Sequence, residues 1–517
     1  MRKQHATVHG GARPGRFQSQ GQQGPRPAAL VKAALRQDQK IGHVSSAAVP
    51  PAAPSDTSRD VALRPKVDFL DPLMRHAALQ AKGIGLCAFL VTLAAFQRGL
   101  KVTFHYERAT FDPRFARTRV QGHRGEVFSI SHGARTHAFS RTMGDRTEIE
   151  RSAIAEDKHL TKVALRQAGV LVPDGVVVPP GQGALIQRFL DRHHGRRFVV
   201  KPFDGSLARG VEADLGADEV LAAAQRQANN RILVEEFIAG VECRATVVGG
   251  RCVAVSQRSP VMLVGDGQSS IAALLATENS AFAADPFMEA LSDQAAIKAY
   301  LARHGLTLQS VPEAGQAVRL TNTSYGVLHA DVTDTVGDAV KAEAVRAVQA
   351  IGLPNAGVDL IITPDGRVVV LEVNQRAHIG MHSFPRVGHG QGNAVAEAII
   401  DLYFPETIGA PTHPALVYDF AAVRRALESA QIAELSLPVI GSGAQVLRLF
   451  ETGHIAAPTM QLLEAAALAS GILAMKAPLP ERGFAICLAG APQTFANFLV
   501  HLPPRLRERV QDRIQAP

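Results

Sequence analysis

The stretch Ala356-Gly-Val-Asp-Leu-Ile-Ile-Thr-Pro-Asp-Gly-Arg-Val-Val-Val-Leu-Glu-Val-Asn374 constrains the fold more than any other part of the chain. Two runs rich in Val and Ile flank a Pro-Asp-Gly-Arg turn, which is the pattern of a β-hairpin. With the loop centred on Asp365 and Gly366, whether two or four residues long, Asp359 falls directly opposite Glu372; Pro364, having no N–H, favours the longer loop. Alternation then puts Val358, Leu360 and Ile362 on one face with Val369, Leu371 and Val373, and Asp359, Glu372 and Asn374 on the other. Two carboxylates across a ladder repel unless a cation lies between them. Hard oxygen donors in this number suit Mg²⁺, or Mn²⁺ in its place, completed by phosphate oxygens. A hairpin with its polar face in water remains open on this stretch alone.

Upstream residues speak to the same chemistry. Asp157-Lys158 opens a helix that stops at Ala168-Gly169. Arg197-Phe-Val-Val-Lys201 reads as a buried strand ending in a lysine, followed by a loop with glycines at 205 and 210. Glycines let backbone N–H groups approach phosphates, and the lysine adds a point charge; the loop is not a Walker A motif. Between 231 and 260 three strands follow, with Glu235, Glu242, Arg244 and Arg258 at their joints rather than spread along a solvent face.

Taken together, Lys158, Lys201, the loop 204–210, Val234-Glu-Glu-Phe-Ile-x-Gly-x-Glu242-x-Arg244 and the Asp359/Glu372-x-Asn374 set occur in the order and spacing of an ATP-grasp ligase. With Gly265-Asp-Gly-Gln-Ser-Ser, Arg319-Leu-Thr-Asn322, Asp331-Val-Thr-Asp334 and Met381-His382, residues 150–405 resemble the ATP-grasp domain of cyanophycin synthetases, and more loosely the ligase half of bifunctional glutathione synthetases. The resemblance implies that Lys158 and Lys201 contact ATP phosphates under a loop containing Asp204, Gly205 and Gly210. It implies that Glu235, Glu236, Phe237 and Ile238 border adenine and that Glu242 reaches the ribose. Arg244, Arg258 and Arg319 would hold the transferred phosphoryl group, with Asn322 nearby, and Asp359, Glu372 and Asn374 would hold magnesium. Phosphoryl transfer relies mostly on positioning and charge stabilisation, so this inventory matches the task. One departure concerns Gln375-Arg-Ala-His-Ile-Gly380, where cyanophycin synthetases carry a small proline-containing loop and a following arginine. That loop should border the acceptor, so a different amide product is expected; His378 and His382 are open to substrate-orienting, packing or surface roles.

The expected fold is therefore α/β (α+β): a disordered basic tail over 1–60, a small α/β domain over 61–150, an ATP-grasp domain over 151–408 and a C-terminal module over 409–517. In the first of these, Leu73 to Gln97 reads as helical, with Gly83 to Phe96 buried, ahead of a strand ending at Tyr106. The last is faintly similar to an acylphosphatase-like ferredoxin fold, with strands at Val446 to Phe450 and Phe484 to Leu488. The net charge of +8 suggests a polyanion partner until it is located: the first 60 residues hold nine Lys or Arg against three Asp. The body is nearly neutral, and no nucleic-acid motif appears. The longest apolar run is too short to span a bilayer, and the four cysteines match no metal or redox spacing. A cytoplasmic enzyme is expected, with no membrane or nucleic-acid partner and self-association left open. Its substrates would be a small carboxylate and an amine, amino acids or peptides, joined through an acyl phosphate. A glutathione-synthetase-like tripeptide ligase and a catalytically inactive nucleotide-binding scaffold are the alternatives.

Overall fold

The computed structural model describes residues 69, 71–83, 85–106, 125–203, 210–227, 231–321, 327–429, 431–440, 445–451, 456–479, 483–511 and 513–515. Asp204, Gly205, Asn322 and the proposed tail lie outside the described residues.

The segment expected to run helical from Leu73 to Gln97 is two helices, Pro72–Gln80 and Gly85–Gln97. Gly83 sits between them at φ +82°, a left-handed conformation that ends the first helix at little cost only for glycine. Every residue of the second helix is buried, as its uninterrupted apolar sequence requires. It packs against an antiparallel sheet of β1 (Lys101–His105), β2 (Val127–His132), β3 (Arg135–Ser140) and β4 (Met143–Gly144). Next come β5 (Gly175–Val178), β6 (Phe198–Pro202), β7 (Glu212–Leu215) and β8 (Ile232–Glu236), an antiparallel sheet in the order β5-β8-β6-β7.

The central sheet contains β9 (Val241–Val248) and β10 (Arg251–Pro260); a separate two-stranded sheet pairs β11 (Met262–Val264) with β12 (Ala317–Arg319). The central sheet continues with β13 (Val327–Asp331), β14 (Asn355–Ile362) and β15 (Val368–Asn374), giving the order β13-β10-β9-β14-β15. One of its faces, with Cys243, Ala245, Val247, Val255, Val358 and Leu360, packs on the helix Asp338–Ile351 and forms its own core. The other face carries the charged residues.

Asp359 does pair with Glu372, and Val358 with Val373 beyond it as expected, but the ladder on the turn side is shifted by one residue. The turn is tighter by one residue: Thr363 N–H donates to the Arg367 carbonyl at 2.9 Å, enclosing Pro364-Asp365-Gly366, with Gly366 at φ +81°. Left alone, that turn would place Leu371 opposite Asp359. A β-bulge at Leu371 restores the pairing, so Leu360 faces Val370 and Val358 faces Val373. The core face therefore holds Val370 rather than Val369 and Leu371.

Beyond the central sheet, β16 (Glu434–Ser436) returns to the first sheet and pairs with β1. The residues before it, including Tyr418 and Phe420, enclose Phe89, Phe96 and Phe104. This connection crosses the boundary placed at residue 408 from sequence. The last segment comprises β17 (Gln445–Glu451), the helix Ala456–Ser470, β18 (Leu473–Leu479), β19 (Gly483–Gly490), two helices and β20 (Ile514–Gln515). Its strands are ordered β18-β19-β17-β20 and all pair antiparallel. Sequence reading missed β18, whose Ala, Met and Lys content gives little strand signal. Among the described residues no helix is long and apolar enough to cross a membrane.

Candidate active site on the polar face of the central sheet

Antiparallel pairing sets side chains from neighbouring strands in rows on a common face. One row crosses all five strands of the central sheet: Asp331 on β13, Ser256 on β10, Arg244 on β9, Asp359 on β14 and Glu372 on β15. A parallel row carries His329, Arg258 and Glu242. Residues more than a hundred positions apart in the chain thus become cross-strand neighbours.

Asp359 is the hub of this face. Its Oδ1 lies 2.7 Å from Arg244 Nε and 3.4 Å from Arg258 Nη1, while Oδ2 accepts from Asn374 Nδ2 at 3.3 Å. Arg258 also pairs with Glu242 at 2.7 Å. Burial pushes the Glu242 carboxyl above its ordinary range, Arg258 opposes that shift and Asp359 adds to it. Glu372, by contrast, has no hydrogen bond or ion pair among the described residues although it is half-buried beside Asp359. Arg244 Nη1 is buried and has no hydrogen-bond partner among the described residues. Gly357 makes room for it: a Cβ there would collide with Arg244 Nη1 and with Ala377. A guanidinium edge and an adjacent carboxylate are thus both left without partners among the described residues.

The smaller sheet supplies a second group. Lys201, at the end of β6, pairs with Glu235 on β8 at 2.7 Å, and Glu235 also bonds Lys162 from the helix Lys158–Gln167. Burial alone would lower the Lys201 ammonium, but Glu235 and, further off, Glu372 and Asp359 raise it above its ordinary value. Lys162 shares the same carboxylate at greater net cost, and burial lowers it. The field of Glu372 and Asp359 at Lys201 shows that the two sheets present their charges to a common space.

The remaining expected residues are placed as follows. Lys158 Nζ donates to the Phe203 carbonyl at 2.8 Å, just before the loop expected to close over phosphates; of that loop, Gly210 is described and has φ +71°. The Glu235 carboxylate is turned to the two lysines, whereas Glu236 lies with Asp174 and His193 and pairs with Arg196 at 3.6 Å. Phe237 N–H donates to the Arg197 carbonyl at 2.7 Å, and Ile238 is half-buried beyond it. Arg319 stands apart on β12, with Nε donating to the Thr321 carbonyl at 2.5 Å and no contact to Arg244 or Arg258 among the described residues. His382 is buried, with Nε2 2.8 Å from Thr246 Oγ1 on the polar face, and His378 lies 3.3 Å from Cys87 Sγ.

Sequence reasoning passed over Lys162, Ser256 and His329, and quoted Asp331 within a motif without giving it a role. Lys162 carried a usable signal, since it follows Lys158 by four residues and shares a helix face with buried Leu165. The others become visible only through strand register.

No family model matches the chain. It is 32% identical over 299 residues to the cyanophycin synthetase of Trichormus variabilis, covering 54% of this chain and 32% of that protein. It is 32% identical over 281 residues to the bifunctional glutathione biosynthesis protein of Enterococcus faecalis, covering 49% of this chain and 36% of that one. The chain thus spans about a third of the length of these curated relatives. Among solved structures, it aligns with a bifunctional glutathione synthetase from Pasteurella multocida at 24% identity and TM-score 0.40, over 54% of this chain and 40% of the other. It aligns with a D-alanine–D-alanine ligase from Bacillus anthracis at 14% identity and TM-score 0.33, over 51% and 70%. Over the shared stretch, this chain is a relative of the ATP-grasp carboxylate–amine ligases.

Proposed function

We propose that the chain is an ADP-forming ligase that joins the carboxylate of an amino acid or peptide to an amine, and that residues 151–408 are its catalytic unit. A carboxylate oxygen attacks the γ-phosphorus of ATP, ADP leaves, and the amine displaces phosphate from the acyl phosphate. The observation that carries this reading is the row Arg244–Asp359–Glu372 with Arg258 beside it and Lys201 facing it from the second sheet. Lys201 and Lys158 supply positive charge for the nucleotide phosphates, while the unpartnered Nη1 of Arg244 offers a donor to the transferred group.

The oxygen donors fit a hard divalent cation. Glu372 has no partner among the described residues, and it faces a second carboxylate with an amide two residues on. Asp359, Glu372 and Asn374 would hold magnesium, which neutralises charge on the phosphoryl group when bound. The scaffold alternative is disfavoured because a half-buried Glu372 carboxylate and a guanidinium edge of Arg244, neither satisfied among the described residues, serve no packing purpose. The relatives are named as a cyanophycin synthetase and a bifunctional glutathione biosynthesis protein, and the acid and amine of this chain are to be read by assay. Screening ATP consumption against pools of amino acids and dipeptides should give ADP and phosphate with at least one pool. ADP release that no pool stimulates, or AMP in its place, would overturn the proposal.

A further inference from the structure

The polar face also holds a buried imidazole that the reaction described above does not use. His329, on β13, is directly opposite Arg258 on β10 and is 4% exposed. Its Nδ1 lies 3.2 Å from Ser256 Oγ, and Nε2 has no partner among the described residues. The edge of its ring meets Phe287 at a centroid distance of 5.0 Å. Phe287 in turn meets His378 at the same distance and a similar angle. His378 belongs to the loop 375–380, which follows the Asp359/Glu372/Asn374 set and is expected to border the acceptor. His329 therefore stands between the arginines assigned to the acyl phosphate and the loop assigned to the incoming amine.

Resting on the ligase reading, we propose that His329 is the proton acceptor for the attacking amine. An α-amino group has a pKa near ~8, so most of it is protonated at neutral pH and it must shed protons to form an amide. With Nδ1–H donating to Ser256 Oγ, the Nε2 lone pair is available. The ammonium gives one proton to solvent as it binds; the neutral amine's lone pair then forms the C–N bond, the C–O bond to phosphate breaks with its electron pair leaving on phosphate, and one of the two protons left on nitrogen passes to Nε2. The surroundings keep this imidazole unprotonated beforehand. Burial lowers its pKa well below the ordinary histidine value, and Arg258, His382, Arg244 and His378, which face it from β10, β9 and the segment after β15, lower it further. A neutral base beside two arginines can take a proton once an amine arrives and phosphate develops charge. His382 is the less suitable candidate, because its Nε2 is held by Thr246 and its Nδ1 is enclosed with no partner.

The test uses the full chain with His329→Gln and His329→Asn, pools of the twenty protein amino acids and of their dipeptides as acid and amine source, and hydroxylamine as a second nucleophile. Hydroxylamine is a weak base, unprotonated near neutral pH, and needs no enzymic proton acceptor. Both variants should keep hydroxamate formation within about twofold of wild type, while amide formation falls by about 10²-fold or more. Raising the pH past the attacking amine's own pKa should recover part of the lost amide rate in the variants but not raise hydroxamate formation. Equal loss of both products, or wild-type amide formation, removes His329 from this role. Failure of the wild type itself to give hydroxamate sinks the ligase reading, and this assignment with it.

Discussion

Asp359 and Glu372 share a rung of the ladder but differ in what holds them. Two arginines and an amide engage Asp359, whereas Glu372 has no partner among the described residues. Asp359→Asn should therefore cost on the order of 3 kcal/mol in unfolding free energy, because it strands Arg244 in a half-dry setting and leaves Arg258 with Glu242 alone. Glu372→Gln should leave stability level or raise it by roughly 0.2–1 kcal/mol, because it removes a cross-strand repulsion, yet it should reduce turnover by at least ~10-fold. Urea unfolding and ADP release on both variants check this; equal destabilisation would show that Glu372 is a structural residue. His382 gives a pH-dependent counterpart. Burial, together with Arg244, pushes its pKa down to about 3, so the folded protein binds fewer protons than the unfolded chain below the ordinary value of 6.5. Its contribution is fully present above pH 6.5 and declines as the pH falls toward the folded value. Between pH 7 and 5 that loss is about 2 kcal/mol, and unfolding curves of His382→Gln should show a pH dependence flatter by this amount. At this scale the sequence revealed charges whose spacing matched a familiar order. It did not reveal His329 or Ser256, because a lone His in a strand has no period or motif and acquires meaning only from its cross-strand neighbours.

The hairpin shows how elements can agree with sequence for different reasons. Alternation and the turn signal located β14 and β15, and the pairing of Asp359 with Glu372 holds, but through a three-residue loop and a compensating bulge. A bulge leaves no trace in an apolar run such as Val368-Val-Val-Leu371, where any residue suits either face. Deleting Leu371 should give a regular ladder that still sets Glu372 opposite Asp359 and Val370 opposite Leu360. Deleting Val373 instead moves Asn374 into the row of Val358, against the core. Thermal unfolding should find the first deletion close to wild type and the second strongly destabilised; the reverse order would contradict the register. β18 was illegible for another reason. Its composition favours helix, and Pro478 argues against a strand, yet β18 lies at the sheet edge, where a missing N–H is tolerated.

Across the whole molecule, the core is not divided where composition suggested. Leu416, Val417, Tyr418, Phe420, Val423 and Leu427 belong to the same buried cluster as the helix Gly85–Gln97, and β16 completes the sheet that helix covers. Non-local packing of this kind is invisible to a reading that moves along the chain. A chain ending at residue 408 would lose these six side chains, roughly 9 kcal/mol at ~1.5 kcal/mol each, comparable to the whole stability of a domain. Hydrogen exchange should find the helix Gly85–Gln97 unprotected in that chain and protected in one ending at residue 440. Equal protection in both would mean that the first sheet folds without its late strand. The account's central claim is that this polar face makes an acyl phosphate, and isotope transfer tests it most directly. With a carboxylate substrate labelled by ¹⁸O in both oxygens, mass spectrometry of the products should find one ¹⁸O in inorganic phosphate, formed in step with ADP and amide. Label in AMP would mean adenylation, and unlabelled phosphate accompanying ATP hydrolysis would mean that no carboxylate is activated; either result would contradict the account.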